Sequence, residues 1–210
     1  MIIAGLTGGI ASGKSTVSAF LEAAGASIVD ADKIAREVVR KEQPAWQKIV
    51  DAFGRAILLP DGEINRVLLG DIIFNDQVQK QILNRIVHPS VKVETAIRLA
   101  EIEKNQPKNQ PGAVVILDVP LLIESGMDAG LSDIIVVYVP EPIQIQRLMA
   151  RDALTQAQAL ARIRSQMPIE EKKKRATIVI DNSGSREATR NISLTAYEHL
   201  KKKIARQGIS

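Results

Sequence analysis

The run Gly8-Gly9-Ile10-Ala11-Ser12-Gly13-Lys14-Ser15 fills every required position of the phosphate-binding pattern G-x-x-x-x-G-K-[S/T], and it narrows the possible folds more than any other stretch. The pattern works only between a strand and a helix. Both are predicted: Ile2 to Leu6 is a short apolar run suited to a buried strand, and Ser15 to Ala24 reads as a helix. Glycines let the backbone turn tightly and point successive N–H groups inward, so that residues 9–13 and the positive helix end form a cavity for phosphate oxygens. Lys14 is expected to reach the β- and γ-phosphates of a nucleoside triphosphate, Ser15 to hold a magnesium ion, and Thr16 to reach the α-phosphate. The alternative is a glycine-rich turn with an idle lysine, and the flanking strand and helix weigh against it.

Ala26 to Val29 reads as a second strand, running directly into Asp30-Ala31-Asp32. Carboxylates at a strand's carboxyl end face the edge where open α/β sheets bind ligands, the edge that also carries the phosphate loop. Each of the two acids has a plainer reading as a helix N-cap, because helical character follows over Lys33 to Lys41. From Gln43 to about Asn105 the pattern is helical, with breaks at Gln43-Pro44, Leu59-Pro60-Asp61-Gly62 and His88-Pro89. Helices are predicted over Ala45 to Phe53, Glu63 to Phe74, Asp76 to Val87 and Ser90 to Lys104, with no strand of the main sheet among them. Asn105 to Gly112 is a linker by composition.

A third strand, Ala113 to Leu117, is apolar throughout, as a strand buried on both faces should be, and Asp118 closes it. An acid there matches the carboxylate that holds magnesium in nucleotide enzymes with this loop. Glu124, further on, is equally a solvated acid or a group that caps, pairs or touches substrate. Asp133 to Pro140 is the fourth strand, and a polar helix follows in which Gln144, Arg147 and Arg151 share one face. These arginines form ordinary ion pairs with Asp152 and its neighbours, or they cover charge on a transferring phosphoryl group from a closing lid. Glu170 to Arg175 reads as a solvated helix end, since its acids stand three to four residues from its lysines. Ala176 to Ile180 is the fifth strand, and Arg186 to Arg206 is a closing helix with Ile192, Leu194, Tyr197, Leu200 and Ile204 mostly inward.

Composition removes several functions. The 210 residues are 45% hydrophobic, enough for a full core, and contain no cysteine and two histidines, which rules out disulfides, thiolate metal sites and a conventional zinc centre built without carboxylate help. The net charge of +4 with 3% aromatic residues is thin for a nucleic-acid surface, and basic residues serving an anionic small molecule explain the excess. No apolar run approaches the ~20 residues that cross a bilayer. The amino-terminal segment has no basic residue before Lys14, which argues against a signal peptide and for the cytoplasm.

The expected architecture is α/β: a P-loop, nucleotide-kinase-like three-layer fold. Its five-stranded parallel sheet carries a helical insertion and a lid. A core of residues 1–35, 112–140 and 176–210 would bind nucleotide, 36–111 would be the insertion with its linker, and 141–175 the lid. GTPase readings need D-x-x-G after the third strand and N-K-x-D for guanine, and neither is present.

The segments Gly5-Leu6-Thr7-Gly8-Gly9-Ile10, Asp30-Ala31-Asp32, His88-Pro89, Asp118-Val119-Pro120-Leu121-Leu122, Gln166-Met167-Pro168 and Ile180-Asp181-Asn182-Ser183-Gly184 together resemble those of dephospho-coenzyme A kinases, in order and in spacing. The resemblance covers essentially the whole chain. It implies transfer of the ATP γ-phosphoryl group, with Mg2+, to the ribose 3′-hydroxyl of dephospho-coenzyme A. On it, Asp32 is the base for that hydroxyl, and Lys14, Arg147 and Arg151 neutralise charge. Magnesium falls on Ser15 and, directly or through water, on Asp118. Asn182 falls where ATP's adenine lies. Thr7, Asp32, His88, Asp118 and Leu121 fall on the acceptor side, although His88 is as readily a helix-end cap. The implied partner is this small molecule, with no nucleic acid or membrane, and a monomer is expected, with weak self-association as the alternative. Other small-molecule kinases of this fold, acting on nucleosides or sugar acids, and a nucleotide-dependent switch are the rival readings. Two residues depart from the family pattern. Ala11 stands where many members carry glycine, which is tolerable if its φ is negative, and Thr177 stands where an aspartate is common.

Overall fold

A computed structural model describes residues 1–106 and 112–207. The linker expected over Asn105 to Gly112 therefore lies mostly outside the described residues. The elements run β1 (Ile2–Gly8), α1 (Lys14–Ala23), β2 (Ser27–Asp30), α2 (Ala31–Glu37), α3 (Pro44–Phe53), α4 (Arg66–Asn75), α5 (Gln77–Lys104), β3 (Val114–Asp118), β4 (Asp133–Tyr138), α6 (Glu141–Asp152), α7 (Gln156–Arg164), α8 (Ile169–Lys174), β5 (Ile178–Asp181) and α9 (Arg186–Gln207). The sheet order is β2-β3-β1-β4-β5. β1 pairs in parallel with β3 and with β4, and β4 pairs in parallel with β5.

Chain order and sheet order together locate a crevice. The connection leaving β1 goes toward β2, while the one leaving its neighbour β3 crosses to β4 on the other side. Adjacent strands whose exits diverge leave open space at their carboxyl ends, where ligands of such sheets bind. Leu6 is in register with Asp118 across this pair, so the phosphate loop and Asp118 emerge side by side.

Alternation along the strands builds the main core. Ile2, Ala4 and Leu6 of β1 join Val114 and Ile116, Ile135 and Val137, and Ile180 on one face, covered by Val17 and Leu21 of α1 and by α9. The face α9 buries agrees with the expected one at Tyr197, Leu200 and Ile204 and departs from it at Ile192 and Leu194. Ser193, Ala196, Tyr197, Leu200 and Ile204 are buried, whereas Ile192 is exposed and Leu194 half-buried. Ser193 is admitted because its hydroxyl donates to the Thr189 carbonyl one turn back. The Asp133 carboxylate, at the start of β4, pairs with Lys203 of α9 and ties the helix to the sheet.

The chain divides into two compact units, one of residues 1–29 and 102–210 and one of residues 30–101. The second has its own core of Val39, Ala45, Ile49, Ile57, Ile64 and Leu69, with Trp46 half-buried beside it and its indole N–H donating to the Gly62 carbonyl. Its strand content among the described residues is an isolated bridge between Leu58 and Ile64. One expectation fails here. The helices predicted on either side of His88-Pro89 are a single 28-residue helix, α5, with Pro89 inside it. Proline removes one i to i−4 bond and strains the preceding turn, but a helix this long keeps enough other bonds to continue.

Candidate active site

The phosphate loop is built from below. β1 delivers Gly8 to the sheet edge, and the loop turns through Ala11 and Gly13, both left-handed with φ of +59° and +85°. Gly13 is the N-cap of α1 and supplies no side chain to cap it, so the first N–H groups of the helix are left to an anion. A β-carbon at Gly13 would also lie 2.1 Å from the Asn182 side-chain nitrogen, so glycine is required there twice over. The φ of Ala11 is positive, so the condition under which this alanine would be tolerated without strain is not met. Its methyl group packs instead, with Ile10, against the apolar core of the helical lobe formed by Leu148, Ala159 and Ile163.

Three side chains hold the loop from the side. Asn182 donates to the Ser12 carbonyl at 2.7 Å and is fixed by the Thr189 hydroxyl, 2.7 Å from its own oxygen. Gln166 accepts the Ile10 N–H at 3.1 Å. Gln144, buried, donates to the Val139 carbonyl at 3.0 Å and leaves no room for a β-carbon at Gly9. Asn182, expected beside adenine, is thus buried against the loop's backbone. Arg147 donates to the Asn182 carbonyl at 2.9 Å, which brings the lobe's first helix to the same turn.

Lys14 forms an ion pair with Asp118 at the mouth of the crevice, the lysine partly exposed and the carboxylate nearly buried. Thr7 is fully buried and its hydroxyl donates to the Pro120 carbonyl at 2.8 Å, while Leu121 is exposed in the turn that follows. Arg151 and Arg162 both donate to the Asp152 carboxylate, at 2.7 and 2.9 Å. The Arg151 hydrogen bond holds the Asp152 carboxyl below its ordinary range. Ser15 and Thr16 lie in the first turn of α1.

Glu170 to Arg175 is the solvated helix end that its charges predict at every residue but Lys172. Lys172 is fully buried, and its ammonium reaches the Gly8 carbonyl at 3.3 Å, the Pro120 carbonyl at 3.1 Å and the Glu124 carboxylate at 2.8 Å. The signal available in the sequence was its place three residues after Ile169, which is also buried, on one helix face. Glu124 also accepts the Met167 N–H at 3.1 Å, so this acid joins two segments. The Thr177 hydroxyl accepts the Ile134 N–H at 2.8 Å and extends the pairing of β4, which is what the residue does where the family pattern has an acid.

The second unit contributes its own candidates. Asp30 caps α2, its carboxylate accepting the Lys33 N–H at 3.0 Å, and Asp32 is exposed in the first turn of that helix, where a negative charge is favourable. His88 lies in mid-helix, which excludes the helix-end cap, and with Gln81, Asn84, Arg85 and Pro89 it lines an open cleft of about 510 Å³. Among the described residues no cluster of three His, Asp or Glu side chains is placed to hold a metal without a ligand's help.

The dephospho-CoA kinase (CoaE) family model matches residues 2–188. The chain belongs to this family. A dephospho-CoA kinase of Carboxydothermus hydrogenoformans is 49% identical over 201 residues, covering 95% of this chain and 94% of that one. The crystal structure of TT1252 from Thermus thermophilus, 33% identical, superposes with a TM-score of 0.78 over 94% of this chain and 96% of that one. A dephospho-CoA kinase of Campylobacter jejuni, 31% identical, gives 0.72 over 96% and 98%. A family of kinases uses ATP as co-substrate, and the fold is the expected α/β fold with a five-stranded sheet. No helix among the described residues is long and apolar enough to cross a membrane.

Proposed function

We propose that this chain transfers the γ-phosphoryl group of ATP to the ribose 3′-hydroxyl of dephospho-coenzyme A, giving coenzyme A and ADP. The observation that carries the reading is the uncapped start of α1, held open beside Lys14 in a chain of this family. The helix end and the loop's N–H groups would receive the phosphates, and Lys14 would exchange Asp118 for the β- and γ-phosphates. Arg147 and Arg151 would cover charge that develops on the transferring group, Arg151 after leaving Asp152. Asn182 and its turn would border the adenine. Asp32 would take the proton of the attacking hydroxyl, while His88 and Leu121 would lie on the acceptor side, Thr7 bracing the latter through Pro120.

The residues present suit magnesium, which binds through substrate phosphates and one or two protein oxygens rather than through an all-protein cage. The Ser15 hydroxyl and the Asp118 carboxylate would hold it, and bound there it would neutralise charge on the phosphate oxygens. Residues 36–111 would serve the acceptor and 141–175 would act as the lid. The same reading places the enzyme in the cytoplasm, acting as a monomer.

The deciding experiment offers ATP and magnesium with dephospho-coenzyme A, and with adenosine, gluconate and shikimate in parallel. Transfer to dephospho-coenzyme A alone, with the product phosphate located on the 3′-oxygen by phosphorus NMR, is expected. Turnover only on another acceptor would keep the phosphate loop and discard the substrate.

A further inference from the structure

We infer that Lys172 is a positioning residue for the nucleotide site, a buried cation that sets the phosphate loop against the β3 exit. The inference rests on the kinase reading above. Burying an ammonium group is costly, and a well-packed apolar residue of similar volume usually serves stability as well or better. A fully buried lysine in a short helix of otherwise exposed charges is therefore retained for what its head group touches. Its partners are informative. Gly8 is the first residue of the phosphate loop, and Pro120 lies two residues beyond Asp118, the acid that pairs with Lys14. One ammonium thus bridges the backbones that carry Lys14 and Asp118, the pair that must separate when a triphosphate arrives.

A second strand of contact makes the bridge a coupling rather than an isolated pin. Glu124 receives both Lys172 and the Met167 N–H, and the adjacent Gln166 accepts the N–H of Ile10 inside the loop. Residues 166–172 therefore grip the loop at Gly8 and at Ile10 and grip the β3 exit at Pro120 and Glu124. With the head group removed, the Gly8 and Pro120 carbonyls lose this common donor, and the loop is held against the β3 exit more loosely, through the Thr7 hydroxyl on Pro120 and the strand pairing.

The test is Lys172→Met, alone and together with Glu124→Gln, which removes the second charge while keeping an acceptor for the Met167 N–H. Folding is followed by thermal unfolding, and nucleotide affinity by titration with a non-hydrolysable ATP analogue and magnesium, a measurement that needs no acceptor. The expected result is a folded protein whose analogue Kd and KM for ATP rise about tenfold or more, with the KM for dephospho-coenzyme A within about twofold of the parent. Folded variants with analogue affinity and ATP KM within twofold of the parent would overturn the inference. So would a loss of turnover that follows the folded fraction with both KM values unchanged. If neither variant folds, Gln166→Leu, which removes the grip at Ile10 from outside the buried pair, must raise the analogue Kd at unchanged acceptor KM, and failure to do so is equally decisive. A parent enzyme that binds the analogue but does not phosphorylate dephospho-coenzyme A would count against the proposed substrate and leave the Lys172 comparison readable.

Discussion

At the level of single residues, Ala11 and Gly13 sit two apart in the same loop with the same hand of backbone and opposite expectations. A left-handed alanine costs about 1–2 kcal/mol, and glycine's greater unfolded-state freedom returns roughly 0.5–1 of that. Because Ala11→Gly also gives up the methyl group packed against the helical lobe, worth up to about 0.8 kcal/mol, the strain relief should be largely offset and stability should change by no more than about 1 kcal/mol, within about 4 °C in Tm for a chain of this size. Gly13→Ala must meet the left-handed cost and also displace Asn182 from the Ser12 carbonyl, losing a hydrogen bond worth about 1 kcal/mol. Less the same roughly 0.5–1 kcal/mol of unfolded-state freedom, a net loss of about 1.5–2 kcal/mol in urea unfolding is expected for it. Equal effects of one sign at both positions would contradict the described loop. On the proposed function, Asp32 acts in the reaction as the base. It is exposed in the first turn of α2, so Asp32→Asn should leave the fold and ATP affinity unchanged while lowering turnover by about two to four powers of ten, the range for a general base. Unchanged turnover would remove Asp32 from the mechanism.

Among the elements, the helical lobe carries an ion-pair clamp at the end of α6. Arg151 and Arg162, one from α6 and one from α7, converge on Asp152, whose carboxyl is held below its ordinary range chiefly by the Arg151 hydrogen bond. A folded-state pKa below the unfolded one contributes stability that is complete above the unfolded value and lost as pH falls through the folded value. Below about pH 4, the ordinary carboxyl range, the α6–α7 junction should loosen, and between pH 5 and 8 this group should add no pH dependence. Urea midpoints of the parent and Asp152→Asn should differ by a constant amount above pH 5 and converge on acidification. A gap that widens toward acid would show that the carboxylate does not hold the junction. Legibility also divides at this scale. The five strands, α1, α3 and α9 were readable because apolar runs and helical spacing report local order directly. The fusion of two predicted helices through Pro89 was not, since a proline signals a break whose outcome depends on the bonds around it. Nor was Lys172, because a charge repeat describes a solvated face until the tertiary fold presses one member inward. Asn182 was readable as part of a motif, but its packing under Ser12 joins residues 170 apart in the chain.

For the whole molecule, the division into residues 1–29 with 102–210 and residues 30–101 makes a prediction about where each ligand is felt. The phosphate loop, Asp118, Asn182 and the segment 166–172 all belong to the first unit, and they are linked by hydrogen bonds and ion pairs within it. The second unit has a separate apolar core and contains Asp32 and His88. A ligand stabilises the part it binds by mass action, by about 2.7 kcal/mol at a hundredfold excess over Kd, and local opening reports that gain segment by segment. Magnesium with a non-hydrolysable ATP analogue should therefore slow amide hydrogen exchange in residues 7–17, 144–152 and 166–183, and leave the amides of α3 and α4 close to their free rates. Dephospho-coenzyme A alone should slow exchange in α2 and around His88 while leaving residues 166–183 nearly unaffected. The two patterns should sum when both ligands are present if the sites are filled independently, and exceed the sum if filling one orders the other. Protection of α3 and α4 by the analogue alone, equal to that of the phosphate loop, would mean that residues 30–101 receive nucleotide, and would contradict the assignment of that unit to the acceptor.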